Sequence, residues 1–162
     1  MSLKLTVESK ALQSAMVLGP AILEKHMRRA IGRATQEMAR DARRRAPKAF
    51  STLTSAIRAD QPTAYEGRVV AGVDYARAVE EGTKGGAFPP VQHILDWVKV
   101  TRQVPDDPNM SQEDLAFVIA RSIAAHGTPP QPFMAPAFEH NKASAQRRID
   151  NAIRNALKEI GI

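Results

Sequence analysis

Apolar residues recur every three or four positions through residues 23–42, and this regularity constrains the fold more than any other feature of the chain. Such spacing places side chains on one stripe of an α-helix. The stripe consists of Leu23, Met27, Ile31, Ala34, Met38 and Ala42. Proline is tolerated in the first turn of a helix and ends a helix that precedes it, so we predict that this helix begins at Pro20 and stops at Pro47. A helix of about 25 residues is about 38 Å long, which makes it the organising element.

Alternation of apolar and polar residues predicts short strands on both sides of this helix. Leu3, Leu5 and Val7 alternate with polar residues near the start of the chain. A longer alternation runs through residues 53–60, and a run with β-branched residues covers 65–73 after a turn. We predict that these last two segments form a hairpin-like pair of strands.

The second half of the chain is predicted to be mainly helical, because helix start and stop signals recur in it. Ser111 and Asp114 have the spacing of a capping box, and Asp74 is a candidate N-cap. Glycine is expected at helix ends, where its lack of a Cβ permits a positive φ. The predicted helices cover residues 75–81, 91–100, 112–126 and 136–160, with Gly82, Gly127 and Gly161 at three of their ends and an extended segment at 129–133.

This order of elements predicts an α+β fold. We expect a small antiparallel sheet packed against the long N-terminal helix, an inserted helical pair at 91–127, and a long C-terminal helix. The chain has 162 residues, the size of one ordinary domain, so we predict a single domain over 1–162. No apolar run approaches the ~18 residues of a membrane span, and the first residues do not form a secretory signal, so we expect a soluble protein made in the cytoplasm.

The positive charge of the chain is concentrated in one region. Residues 24–48 contain nine Lys or Arg against three acidic residues, a balance of +6 that equals the net charge of the whole chain. Residues 49–138 contain seven basic and ten acidic residues, a balance of −3. The densest part is the arginine cluster, which consists of Arg40, Arg43, Arg44, Arg45 and Lys48. Such asymmetry fits nucleic acid, an acidic partner, an identical neighbour, or simply a solvated helix face.

Residues that could carry catalysis or hold a metal are sparse. The chain has no cysteine, which excludes thiol chemistry and cysteine-based zinc sites. Its four histidines lack metal-binding spacing, and the glycine-rich segment at 82–86 lacks the spacing of a phosphate-binding loop. We therefore expect no enzyme activity, no cofactor and no metal.

Five motifs, taken in order, make the chain resemble the tail-completion or head-to-tail joining proteins of tailed bacteriophages. The resemblance spans about residues 20–160, and two departures from it are Phe50-Ser51-Thr52-Leu53, where Thr-Gly-x-Leu is usual, and Glu81, where an aromatic residue is frequent. The motifs are Arg44-Arg45-Ala46-Pro47, Leu53 with Ser55-Ala56-Ile57, Gly72-Val73-Asp74-Tyr75-Ala76, Val79-Glu80-Glu81-Gly82-Thr83 and Gln131-Pro132-Phe133-Met134-Ala135-Pro136-Ala137-Phe138.

The resemblance implies a structural virion protein that forms a ring, expected to be hexameric, at the neck of the particle. The ring would join the head connector, or stopper, protein to the tail-tube or tail-terminator protein, and genomic DNA would pass through it. It would reside in the virion, after assembly in the bacterial host cytoplasm, with no membrane partner. The residues expected at subunit or partner contacts are Arg43, Arg44, Arg45, Tyr75, Glu80, Gly82, Thr83, Lys84, Pro132 and Phe133.

An alternative function is that of a small basic DNA-binding protein that acts through the arginine cluster. No aromatic residues interleave that cluster, and arginines at a helix C-terminus also complement the helix dipole without any partner. We therefore favour the assembly protein over the DNA-binding protein.

Overall fold

The computed structural model describes residues 10–47 and 51–161, with side chains from residue 17 in the first range and from residue 52 in the second. It confirms an α+β fold with a long N-terminal helix and a small antiparallel sheet of two strands. The predicted strand at 3–7 lies outside the described residues. The described elements are α1 (Lys10–Arg45), α2 (Ser51–Ala56), β1 (Ile57–Asp60), β2 (Arg68–Ala71), α3 (Ala76–Glu81), α4 (Val91–Thr101), α5 (Gln112–His126) and α6 (Met134–Ile160).

Helix α1 begins ten residues before the predicted start, so the prediction that Pro20 opens the helix was wrong. Pro20 lies inside α1. Proline in a helix interior removes one backbone hydrogen bond and crowds the preceding turn. Packing offsets this cost, because Gly19 is buried and a Cβ there would lie 3.5 Å from Ile160 Cδ1 on α6. Tertiary contact, which local sequence does not reveal, thus extends the helix through the proline.

The segment before β1 was also predicted incorrectly, since residues 51–56 form a helical turn and not a strand. Leu53 and Ile57 are both fully buried. Their spacing of four residues fits a strand period of two as well as a helix period of 3.6, so alternation alone could not distinguish them. The strand prediction is confirmed only for β1 and for its partner β2.

The helical predictions in the second half are confirmed with two corrections at their starts. Helix α3 has Tyr75 at its N-cap with no side-chain capping bond, so Asp74 is not the cap. Helix α6 begins at Met134, two residues before the predicted start.

The predicted capping box opens α5. Ser111 Oγ accepts a hydrogen bond from Asp114 N at 3.1 Å, and Asp114 Oδ2 accepts one from Ser111 N at 3.0 Å. The hydroxyl and then the backbone N–H of Ser111 lower the pKa of Asp114. Gly127 ends the helix with a φ of 77°, as its predicted role requires.

The sequence predicts a single domain. Within the chain, internal contacts define two compact units. The described part of the first unit consists of residues 10–38, 59–69 and 140–161. The described part of the second consists of residues 39–47, 51–58 and 70–139, and it contains the predicted helical pair α4 and α5. Those two helices pack through Leu95, Val98 and Ala116.

In the first unit, α1 and α6 run antiparallel. Near one end, Lys25 Nζ donates to Glu159 Oε1 at 2.8 Å. Near the other end, Arg148 forms a bidentate pair with Glu37, in which Nη2 donates to Oε1 at 2.6 Å and Nε donates to Oε2 at 3.1 Å. The residues buried between these contacts are mostly small. They are Ala30, Ile31, Ala34, Thr35, Ala152 and Ala156, together with Ala64 from the hairpin connection.

Candidate functional site

The best defined of the predicted contact regions lies in the second unit, where α3 meets the start of α6. The first N–H groups of a helix have no partner within it, and a carboxylate is a favourable acceptor for them. Glu80 on α3 supplies that carboxylate. It accepts hydrogen bonds from the backbone N–H groups of Phe133 at 2.7 Å, Met134 at 2.9 Å and Ala135 at 2.8 Å.

These bonds determine the ionisation of Glu80. Its burial alone would raise the pKa, but the N–H groups of Met134, Ala135 and Phe133 together outweigh burial and lower the pKa below its ordinary value. Glu80 is therefore a charged helix cap at neutral pH. This role was not visible from sequence, because 53 residues separate Glu80 from Phe133.

Further hydrogen bonds join the same two segments. Gln131 N donates to Val79 O at 2.8 Å. Thr83 and Thr128 form an antiparallel bridge in which each N–H donates to the other carbonyl at 3.0 Å, and their hydroxyl oxygens also lie 3.0 Å apart. We call this hydrogen-bonded assembly of residues 79–83 with residues 128–135 the junction.

Gly82 is required where α3 ends at the junction. Its φ is 71°, which confirms the predicted positive φ, although its ψ of 177° lies outside the left-handed helical region and in backbone space that is essentially restricted to glycine. A Cβ at this position would lie 2.6 Å from Thr128 O and 2.7 Å from Pro130 N. Because both neighbours are backbone atoms, any side chain at residue 82 would push the two segments of the junction apart.

Beside the junction lies an apolar cavity of about 170 Å³. Tyr75 forms part of its wall, with its ring centroid 5.2 Å from that of His93 and its hydroxyl 2.5 Å from Thr52 Oγ1. The remaining wall includes Val79, Pro90, Ile94 and Ile123. Tyr75 was predicted as a contact residue, whereas the residues from α4 and α5 were not, because nothing in local spacing shows that this helical pair faces α3.

The second unit also exposes aromatic surface. Phe88 and Phe117 are each 52% exposed, with ring centroids 5.8 Å apart. Val118, beside Phe117 on α5, is half exposed as well. Neither phenylalanine was predicted from sequence to be a contact residue, since a single aromatic in a loop and another on an amphipathic helix are each compatible with burial.

The arginine cluster is only partly available to a partner. Arg43 Nε donates to Ile57 O at 2.8 Å, and Arg45 pairs with Asp41 at 3.2 Å. Arg40 and Arg44 are exposed, and among the described residues neither forms an ion pair. Lys48 lies outside the described residues.

The structure thus brings together only some of the predicted contact residues. Glu80, Gly82, Thr83 and Phe133 meet at the junction, but Phe133 is fully buried and Glu80 is used as a cap. Lys84 and Pro132 are exposed. No hydrogen bond or ion pair joins the described arginines of the cluster to the junction. The roles of all these residues at a subunit or partner contact remain predictions.

Residues 10–47 and 51–161 contain no group of three or more His, Asp or Glu side chains that could hold a metal ion. Within the same ranges no helix combines the length and the apolar character that crossing a membrane would need. Comparison of the chain with protein-family models, curated proteins and solved structures gave no match.

Proposed function

We propose that this chain is a structural virion protein of a tailed bacteriophage, which forms a ring at the neck and joins the head connector to the tail tube. The proposal takes up the function implied by the resemblance of the five motifs. Its partners are identical neighbours in the ring, the head-connector protein on one side, and the tail-tube or tail-terminator protein on the other.

The observation that carries the proposal is the junction. Two motifs of the resemblance, at residues 79–83 and 131–138, are far apart in sequence and yet depend on each other physically. Glu80 of the first motif caps the helix that the second motif begins, and Gly82 is the residue that lets the two backbones approach. These contacts support the proposal because they give a structural reason for both motifs to be present in one chain.

Surface properties of the second unit also support a ring. A closed ring needs heterologous contacts, in which one patch of a subunit meets a different patch of its neighbour. The exposed Phe88 and Phe117 provide an apolar patch, and Arg40 and Arg44 provide a basic one. Charge complementarity between a basic helix end and the acidic middle of the chain would favour a head-to-tail arrangement over a symmetric dimer.

Loss of the protein in a phage that encodes it tests this function. Without the gene, electron microscopy should show DNA-filled heads and complete tails that are not joined. Supply of the wild-type chain from a plasmid should restore joined particles with a ring of this protein at the neck. Joined particles that form in its absence would overturn the proposal.

The apolar patch gives a sharper version of this test. The double substitution Phe88→Asp and Phe117→Asp should leave a folded chain that does not restore joining, because two charges are added to the patch. Val104→Asp is the control for a charge added elsewhere, since Val104 is 80% exposed on a loop of the same unit, and it should restore joining. Restoration by the double variant would exclude Phe88 and Phe117 from the ring contact.

A further inference from the structure

A basic groove lies in the first unit, between α1 and α6. It has a volume of about 290 Å³. Ala30 and Ala152 are both buried at its floor, where their small side chains let the two helices lie close together. The walls are formed by His26, Arg29 and Arg33 on α1 and by Arg148, Asn151 and Asn155 on α6.

The acidic residues near this groove are located at its two ends and already have partners. At one end Glu159 pairs with Lys25 at 2.8 Å and with His26 at 2.7 Å. At the other end Glu37 pairs with Arg148 at 2.6 Å. Between the ion pairs of Glu159 and that of Glu37, the wall of the groove contains no acidic side chain among the described residues.

Arg29 and Arg33 therefore stand in the middle of the groove with no ion-pair partner among the described residues. They are four residues apart on α1, so their side chains lie on the same face and repel each other. Opposite them, Asn151 Oδ1 accepts a hydrogen bond from Arg154 Nη2 at 2.5 Å, which leaves the amide NH2 of Asn151 as a donor. The groove thus presents donors and positive charge, and none of its described lining residues carries a carboxylate.

We propose that this groove binds the phosphate groups of a DNA backbone. Arginine and asparagine side chains are common donors to backbone phosphates, and such contacts are independent of sequence. No aromatic residue lines the groove apart from the imidazole of His26, so it offers little for the stacking of bases. The turns from residue 26 to residue 33 extend about 10 Å, so the groove can contact only a few phosphates of one strand.

This inference rests on the proposed ring only for the source of the DNA, which would be the genome that passes through the neck. One groove neutralises few phosphates, so a single chain should bind weakly and with strong dependence on salt. A ring would repeat the groove in every subunit, and multivalency would raise the overall affinity without any new contact.

The groove can be tested on the purified full-length chain. We would measure fluorescence anisotropy of a labelled DNA duplex at several salt concentrations between about 50 and about 200 mM, where affinity falls linearly on a double-logarithmic scale. The double variant Arg29→Ala and Arg33→Ala should reduce the slope of that plot by about 1.8, because each phosphate contact contributes about 0.9. Both arginines are exposed, so circular dichroism should show an unchanged fold.

The matched control is Arg40→Ala with Arg44→Ala. These arginines also lie four residues apart on α1, are exposed and form no ion pair among the described residues, so the same net charge is removed from the same helix. We expect this control to retain the wild-type slope. If it loses affinity while the groove variant does not, the arginine cluster is the DNA site and the proposal is wrong. Equal losses in both variants would mean that net charge alone governs binding and would overturn it too.

Two further outcomes would overturn the groove as a phosphate site. One is a wild-type chain that does not bind the duplex at about 50 mM salt, where phosphate contacts are strong. The other is binding of polyglutamate as tight as that of the duplex and equally dependent on Arg29 and Arg33, which would indicate an acidic protein partner. The proposal of a phosphate site and the proposal of a ring are tested independently, because DNA binding is measured on the single chain and head-to-tail joining is measured on particles.

Discussion

The two units of this chain are stabilised in different ways. In the first, small buried residues such as Ala30, Ala34 and Ala156 lie between α1 and α6, and the carboxylates that link the helices pair with side-chain cations. The second unit contains the four largest fully buried side chains, namely Phe133, Leu53, Ile57 and Val98. Its linking carboxylate, Glu80, pairs with backbone N–H groups.

This difference has consequences for how each unit responds to mutation and to salt. Burial of large apolar side chains is costly to undo and insensitive to ions. Exposed ion pairs between flexible side chains contribute little and are screened by salt. We therefore expect the second unit to be sensitive to cavities and the first to ionic conditions. The only tryptophan of the chain, Trp97, lies in the second unit and packs on the α4–α5 core, so its fluorescence reports on that unit.

The largest expected effect is that of Phe133→Ala. Phe133 is fully buried, and removal of such a ring costs about 3–5 kcal/mol in lost transfer free energy and cavity formation. Urea unfolding followed by Trp97 fluorescence should show a correspondingly lower midpoint. Phe138→Ala is the control, because Phe138 is half exposed and its loss should cost less than about 1 kcal/mol. Equal effects of the two substitutions would contradict the assignment of Phe133 to the core.

The sequence alone was sufficient for the elements whose signals are local. The capping box of Ser111 and Asp114 and the glycine after it determined α5 at both ends, because each signal acts within one turn. Local signals failed where a distant contact decides the structure. Packing of Gly19 against Ile160 carries α1 through Pro20, and burial of Leu53 with Ile57 is compatible with either a strand or a helix.

The candidate site was predictable to a smaller extent. Residues of the motifs at 79–83 and 131–138 could be named from the resemblance. The cap that Glu80 forms on α6 could not, since it joins positions more than 50 residues apart. The basic groove was missed for the same reason. Arg29 and Arg33 looked like part of a solvated helix face, and only the position of α6 opposite them creates a groove.

A smaller effect is expected for Glu80→Gln, which retains the shape of the cap and removes its charge. We expect a loss of about 1–2 kcal/mol, typical for a helix cap with charge-assisted hydrogen bonds. Because folding lowers the pKa of Glu80 below its ordinary value of 4.5, its contribution is full above that pH and is lost as the pH falls through the folded-state pKa. Unfolding of wild type and variant should therefore differ at pH 7 and converge in acid.

Glu81→Gln provides the matched control for this comparison. Glu81 is the next residue of α3 and is exposed. Among the described residues it pairs only with Arg77 one turn away, so its loss should cost about 0.3 kcal/mol. High salt should reduce the effect of Glu80→Gln less than that of an exposed ion pair, because Glu80 and the N–H groups of Phe133 and Met134 are partly buried and less screened. An effect of Glu80→Gln no larger than that of Glu81→Gln would show that the Glu80 cap does not stabilise the second unit.

The smallest effect is expected for Glu159→Gln in the first unit, and its dependence on conditions is the informative part. Lys25 and then His26 lower the pKa of Glu159 to about 2, so its contribution is full above the ordinary value of 4.5 and is lost as the pH falls towards 2. We expect a slightly lower thermal midpoint by circular dichroism at low salt, and none of this difference at about 1 M salt, where the screening length is about 3 Å.

Glu24→Gln separates a contact between helices from one within a helix. Glu24 pairs with Arg28 one turn along α1, whereas Glu159 connects α6 to α1, so Glu159→Gln should lower the midpoint more although each variant removes one exposed carboxylate. Trp97 fluorescence adds the decisive readout. If Glu159→Gln shifts circular dichroism but not the Trp97 transition, the two units unfold separately and each depends on its own kind of contact. Coincident shifts would show that loss of an exposed ion pair in the first unit also destabilises the core around Trp97. The two units would then differ in the kind of contact that holds them together but would unfold as one.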